Sequence, residues 1–188
     1  MQFFRSRKST QERIKEATFK LLAEKGYTNL TMRDIAKRAG TAVGQLTYHY
    51  KKKDTLILSV IEDVANACIE ELKRRMKEST NKLKAVIDFF DDVYEKEPDM
   101  EKVLVDFMAE SMWDESIKEK FRNFIEKITI LVEEVYLSYK YSFEEAKMKA
   151  EFFVASILGI MANRLLMNNP QNAIRNYQKI LLAGEGEV

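Results

Sequence analysis

Gly26-Tyr27-Thr28-Asn29-Leu30-Thr31-Met32-Arg33-Asp34-Ile35-Ala36-Lys37-Arg38-Ala39-Gly40 is the stretch on which the fold turns. Thr31 and Asp34 have the spacing at which a threonine hydroxyl and an acidic side chain satisfy each other's backbone N–H groups at a helix start. Ile35, Ala36 and Ala39 then give an inward face, and Gly40 follows at once as a residue suited to the left-handed conformation that closes a helix. The segment predicts a helix of only about two turns, too short to be stable alone. Its flanks supply the partners. Upstream, Ser9 and Glu12 repeat the capping spacing, and Ile14, Ala17, Thr18, Leu21 and Leu22 share one face until Gly26 stops the helix. Downstream, Ala42 to Tyr50 places Val43, Leu46, Thr47 and Tyr50 at i, i+3, i+4 and i+7. Three short helices with a turn at Gly40 describe a helix-turn-helix, whose second element would enter a DNA major groove while the first crosses the backbone. Spacing of this kind also occurs in helical proteins of other functions.

The residue identities are more specific than the spacing. The quoted stretch, followed by Gly44, Leu46, Tyr48, His49, Tyr50 and Lys53, closely resembles the signature of the tetracycline-repressor (TetR) family over about residues 9 to 60. The resemblance implies an all-α protein of about nine helices. Residues 1–53 would form a three-helix DNA-binding domain, and residues 54–188 a helical ligand-binding and dimerisation domain. A homodimer, or a pair of dimers, would bind double-stranded DNA at a palindromic operator.

On matching positions, the resemblance gives Thr31 a phosphate contact through its hydroxyl and amide, as helix N-termini suit anions; the alternative is a plain N-cap. Tyr48 and His49 match the aromatic pair that touches the DNA backbone, and Lys53 matches the lysine that does the same from the next helix. Arg33 and Thr41 join this DNA-binding set. In the middle of the reading helix, Gln45 can bond adenine bidentately and the Thr47 methyl can meet a thymine methyl; alternatively Thr47 packs inward beside Val43. Gly44 lets the helix press close to DNA or to the preceding helix, at about 1 kcal/mol in helix propensity relative to alanine. Where the family often has serine and lysine at the start of this helix, the chain has Ala42 and Val43, so one cap and one phosphate contact are missing. Arg5, Arg7 and Lys8 would compensate by reaching DNA, or form a tail.

Charge agrees with a DNA-facing head. Residues 1–53 hold 13 Lys and Arg against four acidic residues, a net of +9, leaving 18 basic and 26 acidic residues, a net of −8, for the remainder. Such asymmetry suits one end facing a polyanion, although a solvated basic surface would look the same. Two prolines, six glycines and 46% apolar residues favour a helical chain with a real core. A lone cysteine, Cys68, points to a reducing compartment. With no leader pattern, and with Phe152 to Asn163 only 12 residues long against the roughly 20 of a membrane helix, a cytoplasmic location is expected.

From Thr55 the pattern Leu56, Val60, Val64, Ala67, Ile69 and Leu72 predicts a longer helix to about Lys77. Further helices are expected over Leu83 to Tyr94, Met100 to Met112, Ile117 to Tyr139, Phe143 to Leu166 and Ala173 to Leu182. Phe152 to Leu166 is apolar on nearly every side, which implies burial on more than one face. The resemblance suggests that Ala155, Gly159, Ala162 and Leu166, with Ile174, Tyr177 and Leu181, form a four-helix dimer interface; the alternative is packing within one monomer. Phe89, Phe107, Met108, Met112, Trp113, Phe124 and Phe152 would line a pocket for a hydrophobic or aromatic effector, or simply fill the core.

Other chemistry lacks its residues. One His and one Cys exclude the usual zinc sites, and neither a dinucleotide fingerprint nor a phosphate loop occurs, so no metal or cofactor is expected. Acidic pairs such as Asp91-Asp92 fit solvated helix faces better than acid/base work, and no enzyme is expected. The leading reading is therefore a dimeric repressor released from its operator by a small effector. The second is a DNA-binding regulator or architectural protein controlled by a protein partner.

Overall fold

Residues 9–167 are described by the structure, a computed structural model, and among them eight α-helices and no strand occur. They are α1 (Thr10–Lys25), α2 (Met32–Ala39), α3 (Val43–His49), α4 (Lys53–Glu78), α5 (Lys82–Lys96), α6 (Pro98–Glu110), α7 (Glu115–Ser138) and α8 (Phe143–Met167). The all-α class is as the sequence predicts. The expected last helix, Ala173 to Leu182, lies outside the described residues, as do Arg5, Arg7 and Lys8.

Local chemistry accounts for the boundaries. Ser9 caps α1: its hydroxyl accepts from the Glu12 N–H at 3.2 Å, while its own N–H donates to the Glu12 carboxylate at 2.7 Å. Gly26 ends the helix at φ +74°, a conformation that side-chain-bearing residues rarely take. Gly40 closes α2 at φ +63°, with its N–H donating to Lys37 O and that of Thr41 to Ala36 O, the paired bonds of a Schellman stop. Pro98 is the first residue of α6, where its missing N–H costs nothing.

The chain packs as two units. The first comprises residues up to Glu71 together with Glu97–Phe124; the second comprises Leu72–Lys96 and the residues from Ile125 on. In the first, α1 buries Ile14, Ala17, Leu21 and Leu22 as expected, and Phe19 and Ala23 besides, with Ile35 and Leu46 fully buried alongside. Thr18 is also fully buried, its hydroxyl donating to Ile14 O at 2.8 Å. Helix α6 closes on this head through Asp99, which pairs with Lys20 at 2.6 Å, Asp106, which accepts from the Tyr27 N–H at 2.8 Å, and Glu110, which accepts from the Thr28 hydroxyl at 3.0 Å. Phe107 meets the Tyr27 ring edge-on at 6.2 Å.

In the second unit, Phe89, Phe90 and Phe153 form an aromatic run with centroids 5.1 and 5.8 Å apart. The buried Tyr94 hydroxyl donates to Ile157 O at 3.1 Å, and Arg164 lies over the Tyr94 ring at 5.0 Å. Helix α8 is the one described helix long and apolar enough to cross a bilayer by length and composition. That extends the apolar stretch beyond the 12 residues counted from sequence. One side of it, Ala146, Ala150, Phe153, Val154, Ile157 and Met161, is buried within the protein, and its first turns carry Glu144, Glu145, Lys147 and Lys149, as suits a bundle helix.

Gly26 also sits against Asp106: a Cβ there would lie 3.2 Å from the carboxylate. Gly26→Ala is therefore expected to destabilise the protein by about 1–3 kcal/mol, from backbone strain with added crowding. Chemical denaturation measures it, and a change near zero would refute the assigned turn.

Candidate nucleic-acid interface

Helix α3 turns two faces in opposite directions. Leu46 and Tyr50 are buried, the Tyr50 hydroxyl accepting from the Gln11 amide at 3.1 Å, whereas Gly44, Gln45, Thr47, Tyr48 and His49 are exposed. Val43, expected inward, is 43% exposed, and Thr47 does not pack inward beside it. The Thr47 hydroxyl instead donates to Val43 O at 2.8 Å, a local back-bond. Ala42 supplies no side-chain cap, so the missing serine leaves the N-terminus of α3 open. The Thr41 hydroxyl donates to Gln45 Oε1 at 2.6 Å, which steers the amide while leaving its NH₂ to face outward. Tyr48 is 84% exposed, touching His49 edge-on at 5.6 Å.

Thr31 holds the start of α2. Its hydroxyl accepts from the Asp34 N–H at 3.2 Å and donates to the Asp34 carboxylate at 2.7 Å, while its amide donates to the same carboxylate at 3.3 Å. The groups that a phosphate would seek are thus occupied by Asp34, and the N-cap role is the one realised. Arg33 is exposed on α2. Two neighbouring cations are engaged: Arg38 forks onto Glu24 at 3.0 and 2.5 Å, and Lys25 pairs with Asp34 at 3.2 Å.

Lys53 does not project freely from the start of α4. Its Nζ donates to Tyr27 O at 3.2 Å and lies 4.9 Å from the centre of the Tyr27 ring. The Tyr27 hydroxyl donates to Asp54 at 2.8 Å, and burial together with that carboxylate pushes its pKa upward, so the hydroxyl keeps its proton. Neither Tyr27 nor Asp106 was identifiable as part of this site from spacing: 79 residues separate them, and Tyr27 reads as part of the loop signature.

The expected pocket residues scatter. Phe89 belongs to the core of the second unit, while Phe107, Met108 and Phe124 are buried or half-buried in the first. For three others the structure corrects the expectation. Met112 and Trp113 stand exposed at the end of α6, Trp113 by 88%, and Phe152 is 63% exposed on α8, so none walls an enclosed space. Phe152 instead joins Ala155, Gly159 and Leu166 on the exposed side of α8, with Ala162 half-buried at its margin; Met148, which the sequence reading omitted, extends the row. Its i, i+4, i+7 spacing to Phe152 and Ala155 was the available signal. Ile174, Tyr177 and Leu181 lie outside the described residues. Cys68 is buried, which pushes its thiol up to about 12 and leaves it inert. An open cleft of about 630 Å³ between α1 and α4 is lined by Ser9, Gln11, Glu12, Lys15, Asp63 and Asn66, among others, and is not part of this interface.

Residues 14–60 match the family described as bacterial regulatory proteins, tetR family. Over 65 residues the chain is 31% identical to the HTH-type transcriptional regulator YvdT of Bacillus subtilis, covering 35% of this chain and 34% of that protein. The chain thus matches about a third of the length of its curated relatives. Among solved structures, Salmonella enterica GusR superposes with a TM-score of 0.78 at 19% identity over 94% of each chain. A transcriptional regulator from Saccharomonospora viridis, solved in complex with choline, does so with a TM-score of 0.74 at 17% identity, covering 92% of this chain and 93% of that one. At these identities the likeness establishes the fold.

The Asp34 carboxylate is held below its usual range, first by the Thr31 hydroxyl and then by Lys25. A depressed folded pKa contributes stability that is present above the ordinary carboxylate range and lost as pH falls through the depressed value. Asp34→Asn should therefore show a shallower loss of melting temperature on acidification than the parent protein. Equal acid sensitivity would mean that the capping pair contributes nothing.

Proposed function

We propose that this chain, which belongs to the TetR family of bacterial regulatory proteins through residues 14–60, is a sequence-specific transcriptional regulator that lays α3 in the DNA major groove. Gly44 carries the reading. It is exposed as the second residue of a seven-residue helix, and a Cβ added to it would meet nothing within 4 Å. Close packing against α2 therefore does not explain it, and its cost in helix propensity, at most about 1 kcal/mol, is offset by close approach of an outside partner. Gln45 and Thr47 beside it read base edges, while Arg33, Thr41, Tyr48, His49 and Lys53 engage the backbone and Thr31 caps α2 beneath them. The relatives sharing the matched segment are regulators and not enzymes.

The same logic favours a homodimer. Met148, Phe152, Ala155, Gly159, Ala162 and Leu166 fall within roughly 80° of one another around α8. Leu166 is 81% exposed, and a Cβ on Gly159 would also meet nothing within 4 Å. A second copy seated on this stripe, with Ile174, Tyr177 and Leu181 contributing, buries it and sets two reading helices on one face of a palindromic operator, with half-sites about 34 to 36 Å apart or a multiple of that. A small apolar or aromatic effector then shifts the population of head arrangements and releases the DNA, making the protein a repressor. The choline complex of the Saccharomonospora viridis protein supports a small organic ligand for this fold. Control by a protein partner draws on the exposed Met112 and Trp113, residue types favoured as interface anchors. Native mass spectrometry of protein purified from its host divides the two by whether a small molecule or a second chain copurifies.

Lys53→Ala should weaken binding to all DNA sequences alike and lower the salt slope by about 1, whereas Gln45→Ala should relax preference at one base position at a cost of about 1 to 3 kcal/mol. Unchanged selectivity in Gln45→Ala would show that α3 is wrongly oriented. Ala155→Glu should convert dimers to monomers in sedimentation; a monomeric parent protein that leaves a footprint without two-fold symmetry would overturn the dimer.

A further inference from the structure

We propose that Tyr27 is a positioning residue for DNA binding, which holds the Lys53 ammonium group where a phosphate oxygen can take its remaining N–H; this rests on the DNA-binding reading above. Lysine carries three donors on a flexible four-carbon stem, and an unrestrained one loses much freedom when it docks. Here the carbonyl of Tyr27 takes one donor at 3.2 Å and its ring faces the cation at 4.9 Å, so two of the three directions are set before DNA arrives. The same tyrosine deals with the adjacent negative charge. Its hydroxyl donates to Asp54 at 2.8 Å, tying back a carboxylate that would otherwise compete with phosphate for Lys53. Tyr27 is in turn fixed at three points: Gly26 at φ +74° precedes it, Asp106 accepts its N–H at 2.8 Å, and Phe107 meets its ring. A tyrosine of the signature loop is thereby a rigid seat, built by α6, for a cation on α4.

Two measurements test this. In NMR spectra the Lys53 Hε resonances, identified by their loss in Lys53→Met, should be shifted upfield by the Tyr27 ring in the DNA-free wild type. The shift should persist in Tyr27→Phe and vanish in Tyr27→Leu. On a mixed-sequence duplex at low ionic strength, Tyr27→Leu should lower affinity about threefold when Lys53 is present and add no loss in the Lys53→Met background. Tyr27→Phe, which keeps the ring but releases Asp54, should fall between the wild type and Tyr27→Leu. An equal loss from Tyr27→Leu in both backgrounds, or no loss at all, overturns the positioning role and leaves the DNA-binding reading standing. If Tyr27→Leu does not fold, an unshifted Lys53 resonance in the wild type overturns it instead. A wild type that binds no duplex overturns both readings.

Discussion

A half-buried carboxylate on α6, Asp106, accepts the N–H of Tyr27, and the arrangement of the DNA-facing head depends on that bond. Removing a carboxylate from water is costly, and burial does raise the pKa of Asp106, with the backbone N–H of Tyr27 opposing the rise. In return, the loop between α1 and α2 is held by a helix that follows it in sequence by some 70 residues. Helices α2 and α3 have eight and seven residues, lengths at which an isolated helix does not persist in water. Their geometry is set by what they pack on and by the loop that delivers them; α6 packs on α1, which α2 also packs on, and holds that loop.

Among the described residues, two glycines sit in helices without an internal packing reason. Gly44 on α3 and Gly159 on α8 each face open space in a single copy of the chain. Each costs helix stability, and each lies beside exposed side chains with no role in the core of one molecule: Gln45 and Tyr48 at one site, Phe152 and Ala155 at the other. On the proposed reading, close approach by a duplex at the one and by a second copy of the chain at the other accounts for both.

The charge of the head is distributed more narrowly than its net value suggests. Arg38 and Lys25 neutralise Glu24 and Asp34 within the fold, and Lys53 is seated on Tyr27, whereas Arg33, Lys37, Lys51 and Lys52 remain exposed. Part of the basic excess is structural, and the part available to phosphate is smaller and placed at the edges of α2 and at the entry to α4.

Sequence alone determined the helix boundaries of the head, because those are local: Ser9 with Glu12, Thr31 with Asp34, and glycines at 26 and 40 act over three or four residues through backbone N–H groups and φ. It also determined the outward residues Gln45, Tyr48 and His49, through the resemblance and the helical period. It misplaced Val43, since a seven-residue helix with one buried residue, Leu46, leaves the rest of its surface free, and periodicity does not say where the inward stripe ends. The exposure of Phe152 and the seat of Lys53 were decided only by tertiary structure. Which side of an all-apolar helix faces inward, and which loop meets which carboxylate 79 residues away, depend on how distant segments pack, and no local spacing carries that information.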